Sequence, residues 1–258
     1  AANNAVYNAF VQPGETVMGM SLTHGGHLTH GSPANRSGRF YHIVPYEANP
    51  STGRLDYDQI RKLALENRPR MIIAGYSAYP WSVDWAAFRS IADEVDAIFM
   101  ADIAHTAGLV AAGVFPSPIG HAHVVTFTTH KTLCGPRGAC ILATDSDLAE
   151  QLEVGVFPGE QGGPHIHVIA AKAVCFLIAQ SQEFRRLQKR IVENAAALAE
   201  SFRRQGFKLA YGGTDSHMCL IDLRSVKTPT GYPLTGEIAS RILDFCGITC
   251  NKNTIYGD

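Results

Sequence analysis

The chain of 258 residues has little charge of either sign. Its formal net charge is −1, and Asp, Glu, Lys and Arg together make up 17% of the residues, against about 25% in a typical soluble domain. A nearly neutral chain has no global field that attracts nucleic acid or an anionic membrane. We therefore predict neither of these partners, and we expect part of the surface to be covered by another subunit or by a large ligand.

Long apolar runs and paired cysteines are also missing. The longest apolar stretch, "VIAAKAVCFLIA", contains Lys172 and is shorter than the roughly 20 residues of a membrane-spanning helix. The six cysteines include no C-x-x-C pair and have irregular spacing, which favours free thiols over a disulfide framework or a zinc site. This usage indicates a reducing compartment, and we expect a cytoplasmic protein.

The ends of the sequence read as interrupted elements. It begins with the helix-like "AANNAVYNAF", without an initiator Met, and stops in the turn-like "NKNTIYGD". We expect residues to be missing at both ends, so the lack of a targeting signal is uninformative.

Apolar, β-rich runs alternate along the chain with segments of helical spacing. The segments "DYDQIRKLALEN" and "DWAAFRSIADEV" each open with an Asp that can cap a helix. Runs that are apolar on both faces are typical of parallel strands covered by helices on two sides. The pattern predicts an α/β fold with a mostly parallel sheet, in which ligands bind at the carboxyl ends of strands. The predicted strands lie in "ETVMGM", "YHIVPY", "RMIIAGYSA", "DAIFMADIAH", "HVVTFTTHK" and "GACILAT".

The pattern changes after "FPGEQGGP". Residues 165–205 predict two long helices, "FKLAYGGTDSHMCLIDL" predicts two short strands, and "LTGEIASRILDFCG" predicts a helix that ends at Gly247. We therefore predict a large domain over residues 1–181 and an incomplete, smaller α+β domain over residues 182–258.

Two polar residues end neighbouring apolar runs. Asp102 ends "DAIFMAD", and Lys131 follows the next run in "TFTTHKTLCGPRGA", among hydroxyls, an imidazole and glycines. An Asp at this position either caps the next segment or faces a ligand. If the strands are parallel neighbours, both residues lie at one edge of the sheet. An Asp that keeps a ring nitrogen protonated and a Lys that attaches an aldehyde are the pair that a pyridoxal phosphate enzyme requires.

A phosphate site is predicted in "GEQGGPHIHVIAAKAV". Pro164 suits the first turn of a helix, and Gly162 and Gly163 leave N–H groups open just before it, where anions bind. The alternative is an ordinary glycine loop before a helix that starts with proline.

The segment "SLTHGGHLTHG" holds His24, His27 and His30 at intervals of three. Zinc is one reading of this spacing, but Gly25 and Gly26 break a helix here and no Cys or Glu completes the ligand set. We instead predict an imidazole lying over a cofactor ring, with the glycines making room for it. Turn histidines that bond to backbone are the other alternative.

Six segments occur in the order seen in serine hydroxymethyltransferases, and the chain resembles that family over essentially its whole length. They are "HGGHLTHGSPANRSGRFYHIVPY", "SAYPWSVDW", "DIAHTAGLVAAG", "TTHKTLCGPRGA", "FPGEQGGPHIHVIAAKAV" and "GGTDSHMCLIDL". The resemblance implies a fold-type-I pyridoxal phosphate enzyme that forms a homodimer or a larger homo-oligomer. It also implies transfer of the serine hydroxymethyl group to tetrahydrofolate, giving glycine and 5,10-methylenetetrahydrofolate.

The resemblance further implies roles for individual residues, and no metal. Lys131 corresponds to the Schiff-base lysine, Asp102 to the partner of the pyridine nitrogen, and His27 to the imidazole stacked on the ring. Ser77 and His105 correspond to contacts with the ring hydroxyl and its surroundings, and Gly162 and Gly163 to phosphate contacts donated by the other subunit. Thr128 and His130 flank the lysine, and the implied catalytic residues are Lys131, His27, Asp102, His105 and Thr128. Leu22, Gly26 and Leu28 correspond to the wall of a folate site.

Some positions depart from the family pattern. The phosphate-binding Ser-Gly segment, the catalytic Glu and the substrate-contacting Tyr would precede Ala1, and the carboxylate-binding Arg would follow Asp258. Glu160 stands where Gly is common and adds charge near the predicted phosphate site. Two alternatives therefore stay open: another fold-type-I enzyme such as a cysteine desulfurase, or a catalytically inactive fragment.

Overall fold

The structure is a computed structural model that describes residues 1–226, 228–229 and 231–257. Within these residues the centre is a six-stranded sheet with the strand order β2-β1-β3-β4-β5-β6. The strands are β1 Thr16–Met20, β2 His42–Tyr46, β3 Met71–Gly75, β4 Ile98–Asp102, β5 Val124–Thr128 and β6 Ala139–Ala143. The first five are parallel and β6 pairs antiparallel with β5. The predicted mostly parallel α/β sheet is therefore confirmed.

Helices fill most of the connections between the strands and the region that follows the sheet. They are α1 Ala2–Phe10, α2 Arg36–Phe40, α3 Tyr57–Asn67, α4 Trp85–Glu94, α5 Ala107–Ala111, α6 Ser146–Val156, α7 Ile166–Ala179, α8 Gln182–Arg204 and α9 Gly236–Phe245. In the part of the chain that the structure describes, none of them is both long enough and apolar enough to cross a membrane.

α3 and α4 begin at the residues that the sequence marks as caps. Oδ1 of Asp56 accepts a hydrogen bond from the Gln59 N–H at 3.1 Å, and Oδ1 of Asp84 accepts one from the Ala87 N–H at 2.9 Å. These bonds satisfy N–H groups that have no partner inside the helix. Both predicted N-caps are confirmed.

The four central strands of the sheet, β1, β3, β4 and β5, are mostly buried on both faces, as is typical of parallel strands covered by helices. On β3, Ile72 packs toward the helices α3 and α4, in one apolar cluster with Phe88. Its neighbours Met71 and Ile73 point to the other face, in a second cluster with Tyr7 of α1. The alternation follows from the two-residue period of a strand. A strand that is apolar at every position therefore contributes side chains to both apolar clusters.

One predicted element is wrong, since "FKLAYGGTDSHMCLIDL" does not form two strands. A single antiparallel bridge joins Leu209 and Ile221. The residues between them bond to the loop after β3 instead, where the Asp215 N–H donates to the Pro80 carbonyl at 3.2 Å. The Gly212 N–H also donates to the Leu209 carbonyl at 3.1 Å, so the chain turns directly after the bridge and the ladder does not extend.

The region after residue 181 packs directly on the sheet domain. The two long helices predicted for residues 165–205 are α7 and α8, and α9 is the helix predicted before Gly247. Phe184 of α8 is buried in the same cluster as Leu133, and Nε2 of Gln188 donates to the Thr132 carbonyl at 2.7 Å. The division into domains at residues 181 and 182 stays a prediction.

Candidate active site

The edge of the sheet at the carboxyl ends of β4 and β5 carries the candidate site. Asp102 is the last residue of β4 and is paired in register with Thr126 of β5. Lys131 lies three residues beyond the end of β5, in the turn that follows the strand and not at the strand end itself, where it was predicted. The strand stops at Thr128 because its antiparallel partner β6 begins opposite, at Ala139.

The turn that holds Lys131 is fixed by hydrogen bonds on both sides of the lysine. The Gly135 N–H donates to the Thr129 carbonyl at 2.6 Å. Oγ1 of Thr132 donates to the His105 carbonyl at 2.7 Å and accepts from the Gly108 N–H at 3.0 Å. These bonds tie the lysine turn to the segment that follows β4 and bring Lys131 to the side of Asp102 and His105.

The carboxylate of Asp102 is 7% exposed and accepts three hydrogen bonds. Oδ2 accepts from Nδ2 of Asn3 at 2.8 Å and from Nε2 of His30 at 2.9 Å, and Oδ1 accepts from the Ala104 N–H at 3.0 Å. Burial alone would raise the pKa of Asp102, but the contacts with His30, Asn3 and Ala104 outweigh it and hold the pKa below its usual range. Asp102 is therefore a buried, ionised carboxylate at neutral pH.

The short 3₁₀ turn Leu28–His30 sets the proton positions of two imidazoles. Nδ1 of His30 accepts from the His27 N–H at 3.3 Å, and Nδ1 of His27 accepts from the Thr29 N–H at 3.2 Å. An accepting ring nitrogen carries no proton, so the hydrogen-bond network assigns the N–H of each neutral ring to Nε2. His30 therefore donates from Nε2 to Asp102.

His27, His30 and Asp102 are also close enough together to hold a metal ion, with ligand atoms within 4.8 Å of one another. Binding a metal through Nε2 would move the ring proton to Nδ1, where it would face a backbone N–H. The tautomers therefore favour a hydrogen-bonded network over the zinc alternative. His24 lies apart from this group, with Nε2 at 3.6 Å from Glu47.

Gly25 and Gly26 make room for backbone, and the prediction that they make room for a stacked ring is wrong. A Cβ on Gly26 would lie 2.0 Å from the Met20 carbonyl oxygen, and one on Gly25 would lie 2.5 Å from that of Ala78. Gly25 also has a φ of +104°, which side chains rarely adopt. Its carbonyl accepts from the Ser77 N–H at 2.8 Å, so this approach places Ser77 beside the histidine segment.

The side chains around Lys131 favour neutral forms. Burial lowers the pKa of Lys131, and the charge of Asp102 partly opposes that shift. Burial, and then the charge of Lys131, lowers the pKa of His105 to about 3. Burial, and then the charge of His30, lowers the pKa of His27 to about 4. At neutral pH both imidazoles are uncharged. A larger fraction of Lys131 is present as the neutral, nucleophilic amine than would be the case for an exposed lysine.

Two predicted contacts that flank the lysine engage the protein itself. Oγ1 of Thr128 donates to the Ala104 carbonyl at 3.2 Å, and Nδ1 of His130 accepts from the Gly138 N–H at 3.4 Å. Each side chain thus helps to fix the lysine turn. Their contact with a cofactor stays a prediction.

An exposed apolar pair lies next to the histidine segment. Leu22 and Leu28 are 41% and 47% exposed, while Gly26 between them is buried. Two large apolar side chains open to solvent beside a polar site fit the wall of a flat ligand.

Gly162 and Gly163 lie on the surface, away from any neighbour. A Cβ built on either glycine would meet no atom within 4 Å among the described residues. Pro164 lies outside the helix, because α7 begins at Ile166 with His165 as N-cap, so its predicted place in the first turn is wrong. Within one chain the structure does not bring these glycines to Lys131.

Sequence reasoning missed three residues that the structure brings to this edge. No sequence pattern marked Asn3 as a site residue, because it reaches Asp102 from α1, almost 100 residues earlier in the chain. His30 fits the alternative of a turn histidine that bonds to backbone, through Nδ1, but its contact with Asp102 through Nε2 was not predicted. His217 lies in "GGTDSHMCLIDL", in which no site residue was predicted, and its ring stacks on His105 with centroids 5.7 Å apart.

The fold and this edge define a class of protein. A mostly parallel sheet with a buried carboxylate and a partly desolvated lysine at its carboxyl edge is the architecture of the fold-type-I pyridoxal phosphate-dependent transferases. The family described as Serine hydroxymethyltransferase matches residues 1–258. A serine hydroxymethyltransferase of Nostoc punctiforme is 55% identical over 257 residues, which are 100% of this chain and 59% of that protein. The chain belongs to the serine hydroxymethyltransferase family and spans 59% of the length of this curated relative.

Proposed function

We propose that the protein is a serine hydroxymethyltransferase that uses pyridoxal 5′-phosphate to move the hydroxymethyl group of serine to tetrahydrofolate. The products are glycine and 5,10-methylenetetrahydrofolate. The observation that carries the proposal is the ionised Asp102, locked by three donors at the same sheet edge as the partly desolvated Lys131. Family membership supports the choice of reaction.

The donor set of the site fits the cofactor. Asp102 offers a buried anionic oxygen, which would pair with a protonated ring nitrogen. Lys131 offers an amine with a lowered pKa, which would attach the cofactor aldehyde. The uncharged imidazole of His27 would lie against the ring. The further contacts that we propose are Ser77, His105, Thr128 and His130, with Gly162 and Gly163 binding the phosphate from a second subunit.

When bound, pyridoxal phosphate withdraws electrons from the α-carbon of the amino acid, which makes its bonds easier to break. Asp102 supports this by remaining ionised, because His30 and Asn3 stabilise its charge. Lys131 is available to accept a proton whenever its amine is free and neutral. His105 is uncharged at neutral pH, so it adds no positive charge that would lower the pKa of Lys131 further and make it a weaker proton acceptor.

The folate is the second substrate that we propose. Leu22 and Leu28 would pack against its flat ring, and Gly26 between them would fix the shape of the wall by letting its backbone lie against the Met20 carbonyl. Their exposure in the structure supports this role, since large apolar side chains open to solvent mark ligand or partner surfaces.

A second copy of the chain is the partner that we propose. α7 leaves several large apolar side chains open to solvent, and they are Ile166, Ile169, Val174, Phe176, Leu177 and Ile178. Burying such a surface is favourable at about 25 cal/mol per Å². A homodimer or larger homo-oligomer would cover it, and would also explain the low proportion of charged residues.

A cytoplasmic location is our further proposal. All six cysteines of the chain are free thiols in the structure. Free thiols persist in compartments that keep proteins reduced.

The test uses a full-length enzyme that carries these residues, and its substrate is glycine with a heavy isotope of hydrogen on the α-carbon. Exchange of the α-proton with solvent should become much faster when tetrahydrofolate is added, whereas a cysteine desulfurase would show no response to folate. Sulfur release from cysteine and a persulfide on the protein, with no folate effect, would support the alternative. Running the 258-residue chain in parallel decides whether it is active or an inactive fragment.

A further inference from the structure

A segment from the C-terminal region reaches the Lys131 site and is held there firmly. Residues 212–217, "GGTDSH", lie against the loop that follows β3. Oγ1 of Thr214 and the Asp215 N–H both donate to the Pro80 carbonyl at 3.2 Å, and Oγ of Ser82 donates to Oδ2 of Asp215 at 2.7 Å. The segment therefore has a defined position relative to the loop after β3, which also carries Ser77.

The loop after β3 is itself anchored. Nε1 of Trp81 donates to the Tyr211 carbonyl at 3.0 Å, and the guanidinium of Arg54 lies 3.5 Å from the centre of the Trp81 ring. Such a cation–π contact stabilises the indole in place. These contacts hold the loop and the segment together, and so they fix the position of His217 at the end of the segment.

The ring of His217 lies on the ring of His105. Their centroids are 5.7 Å apart and their planes differ by 30°. Burial, followed by the charge of Lys131, lowers the pKa of His217 to about 4. His217 is thus an uncharged imidazole at neutral pH, and it lies close enough to Lys131 for the charge of that lysine to affect its pKa.

Nδ1 of His217 is buried and makes no hydrogen bond to any residue that the structure describes. Leaving a buried polar atom without a partner is unfavourable, and such atoms are rare outside functional sites and water sites. This nitrogen belongs to a side chain that packs on His105, beside the lysine that would hold the ligand. A ligand oxygen would supply the missing partner.

We propose that His217 is a substrate-contacting residue of the Lys131 site, whose Nδ1 hydrogen-bonds an oxygen of the bound amino acid. The proposal rests on the proposed function, because it requires an amino acid held at Lys131. A hydroxyl oxygen can pair with either tautomer of the ring, whereas a carboxylate oxygen requires the proton on Nδ1. Glycine offers only the carboxylate and serine offers both groups, so the two amino acids distinguish the two sources of the oxygen.

The experiment compares three variants with the wild-type protein, all full-length, first without the cofactor and then loaded with it. His217→Phe keeps a ring that can stack on His105 but removes both nitrogens. His217→Asn places an amide near the position of Nδ1, and His121→Phe is the control for the same change outside the site. Dissociation constants are measured first for pyridoxal phosphate, and then for glycine and L-serine, from the absorbance of the bound cofactor.

We expect His217→Phe to bind the cofactor as wild type does and to bind the amino acid about tenfold more weakly, the loss of one good hydrogen bond. His217→Asn should recover part of that loss, and His121→Phe should show none. Weakened binding of both amino acids assigns the oxygen to the carboxylate, and weakened binding of serine alone assigns it to the hydroxyl. If the Phe variant does not fold, His217→Gln against His217→Asn gives the same comparison, with the amide moved away from the Nδ1 position.

Unchanged amino-acid affinity in His217→Phe, with normal cofactor binding, overturns this proposal alone. Loss of cofactor affinity in parallel with amino-acid affinity also overturns it, because it shows that His217 only supports the fold. Failure of the wild-type protein to bind pyridoxal phosphate overturns the proposed function, and this proposal with it.

Discussion

Nε2 of His30 donates a hydrogen bond to Oδ2 of Asp102 across 2.9 Å. The ring can donate there because its other nitrogen accepts from the His27 backbone at 3.3 Å. One 3₁₀ turn thus aims an imidazole at the buried carboxylate and also presents His27 to the same site. The arrangement makes Asp102 an anion whose charge is held by neighbours before any ligand arrives.

Replacing His30 should destabilise the protein through Asp102. His30→Phe removes a donor to a buried carboxylate, and we expect a loss of about 2 kcal/mol in the free energy of unfolding. His30→Gln, whose amide can donate from nearly the same place, should lose less. Denaturant unfolding of the cofactor-free protein measures both, and equal losses in the two variants would contradict the role of the donor.

Asp102→Asn should impair turnover more than stability. An amide cannot hold a ring nitrogen protonated as a carboxylate does, so we expect serine turnover in the full-length enzyme to fall about 100-fold or more. Asp56→Asn is the matched control, since an amide oxygen can still cap α3. Wild-type turnover in Asp102→Asn would show that this carboxylate does not serve the cofactor.

Lys131 should be the residue that attaches pyridoxal phosphate. Borohydride reduction of the full-length enzyme with its cofactor should leave the label on the peptide that contains Lys131, as detected by mass spectrometry. Lys172 is the comparison, because its Nζ is occupied by a hydrogen bond to the Ala139 carbonyl at 2.7 Å. Label that survives in Lys131→Ala and is lost in Lys172→Met would refute the assignment.

Gly162 and Gly163 should bind the phosphate across a subunit interface. Changing both to Val should weaken cofactor binding in the homo-oligomer. Mixing that variant with Lys131→Ala leaves one intact site in each mixed dimer, so up to about a quarter of wild-type activity should return after random mixing. No recovered activity in a mixture shown to contain hetero-oligomers would indicate that each subunit builds its own site.

The cofactor-free protein should lose stability as pH falls from 6.5 toward 4. The pKa values of His27 and His217 lie at about 4 and that of His105 at about 3, each lowered first by burial, from an unperturbed 6.5. In this window the unfolded chain binds more protons than the folded chain, so the free energy of unfolding decreases as pH decreases.

Each of these histidines contributes up to roughly 3 kcal/mol to that decrease. Urea unfolding at half-unit pH steps measures the slope, which should be smaller in His217→Phe than in wild type. His121→Phe serves as the control for a histidine outside the site. Identical slopes in wild type and His217→Phe would show that His217 titrates normally.

The sequence alone determined the sheet, because its evidence is local. β3 reads as "MIIAG", apolar at every position, and such a run can satisfy two cores only in the middle of a covered sheet. Asp56 and Asp84 marked the starts of α3 and α4 by their own side chains. The order of motifs pointed to the family, and the apolar runs placed Asp102 and Lys131 at the ends of neighbouring strands.

The tertiary structure decided which side chains surround those two residues. Asn3 and His30 reach Asp102 over separations of 99 and 72 residues, and His217 reaches His105 from a region that the sequence assigned to strands. These contacts depend on how helices and loops pack against the sheet edge, which no local pattern encodes. The same packing desolvates Lys131 and the imidazoles, so the lowered pKa values of these side chains depend on the folded structure and could not be predicted from the sequence.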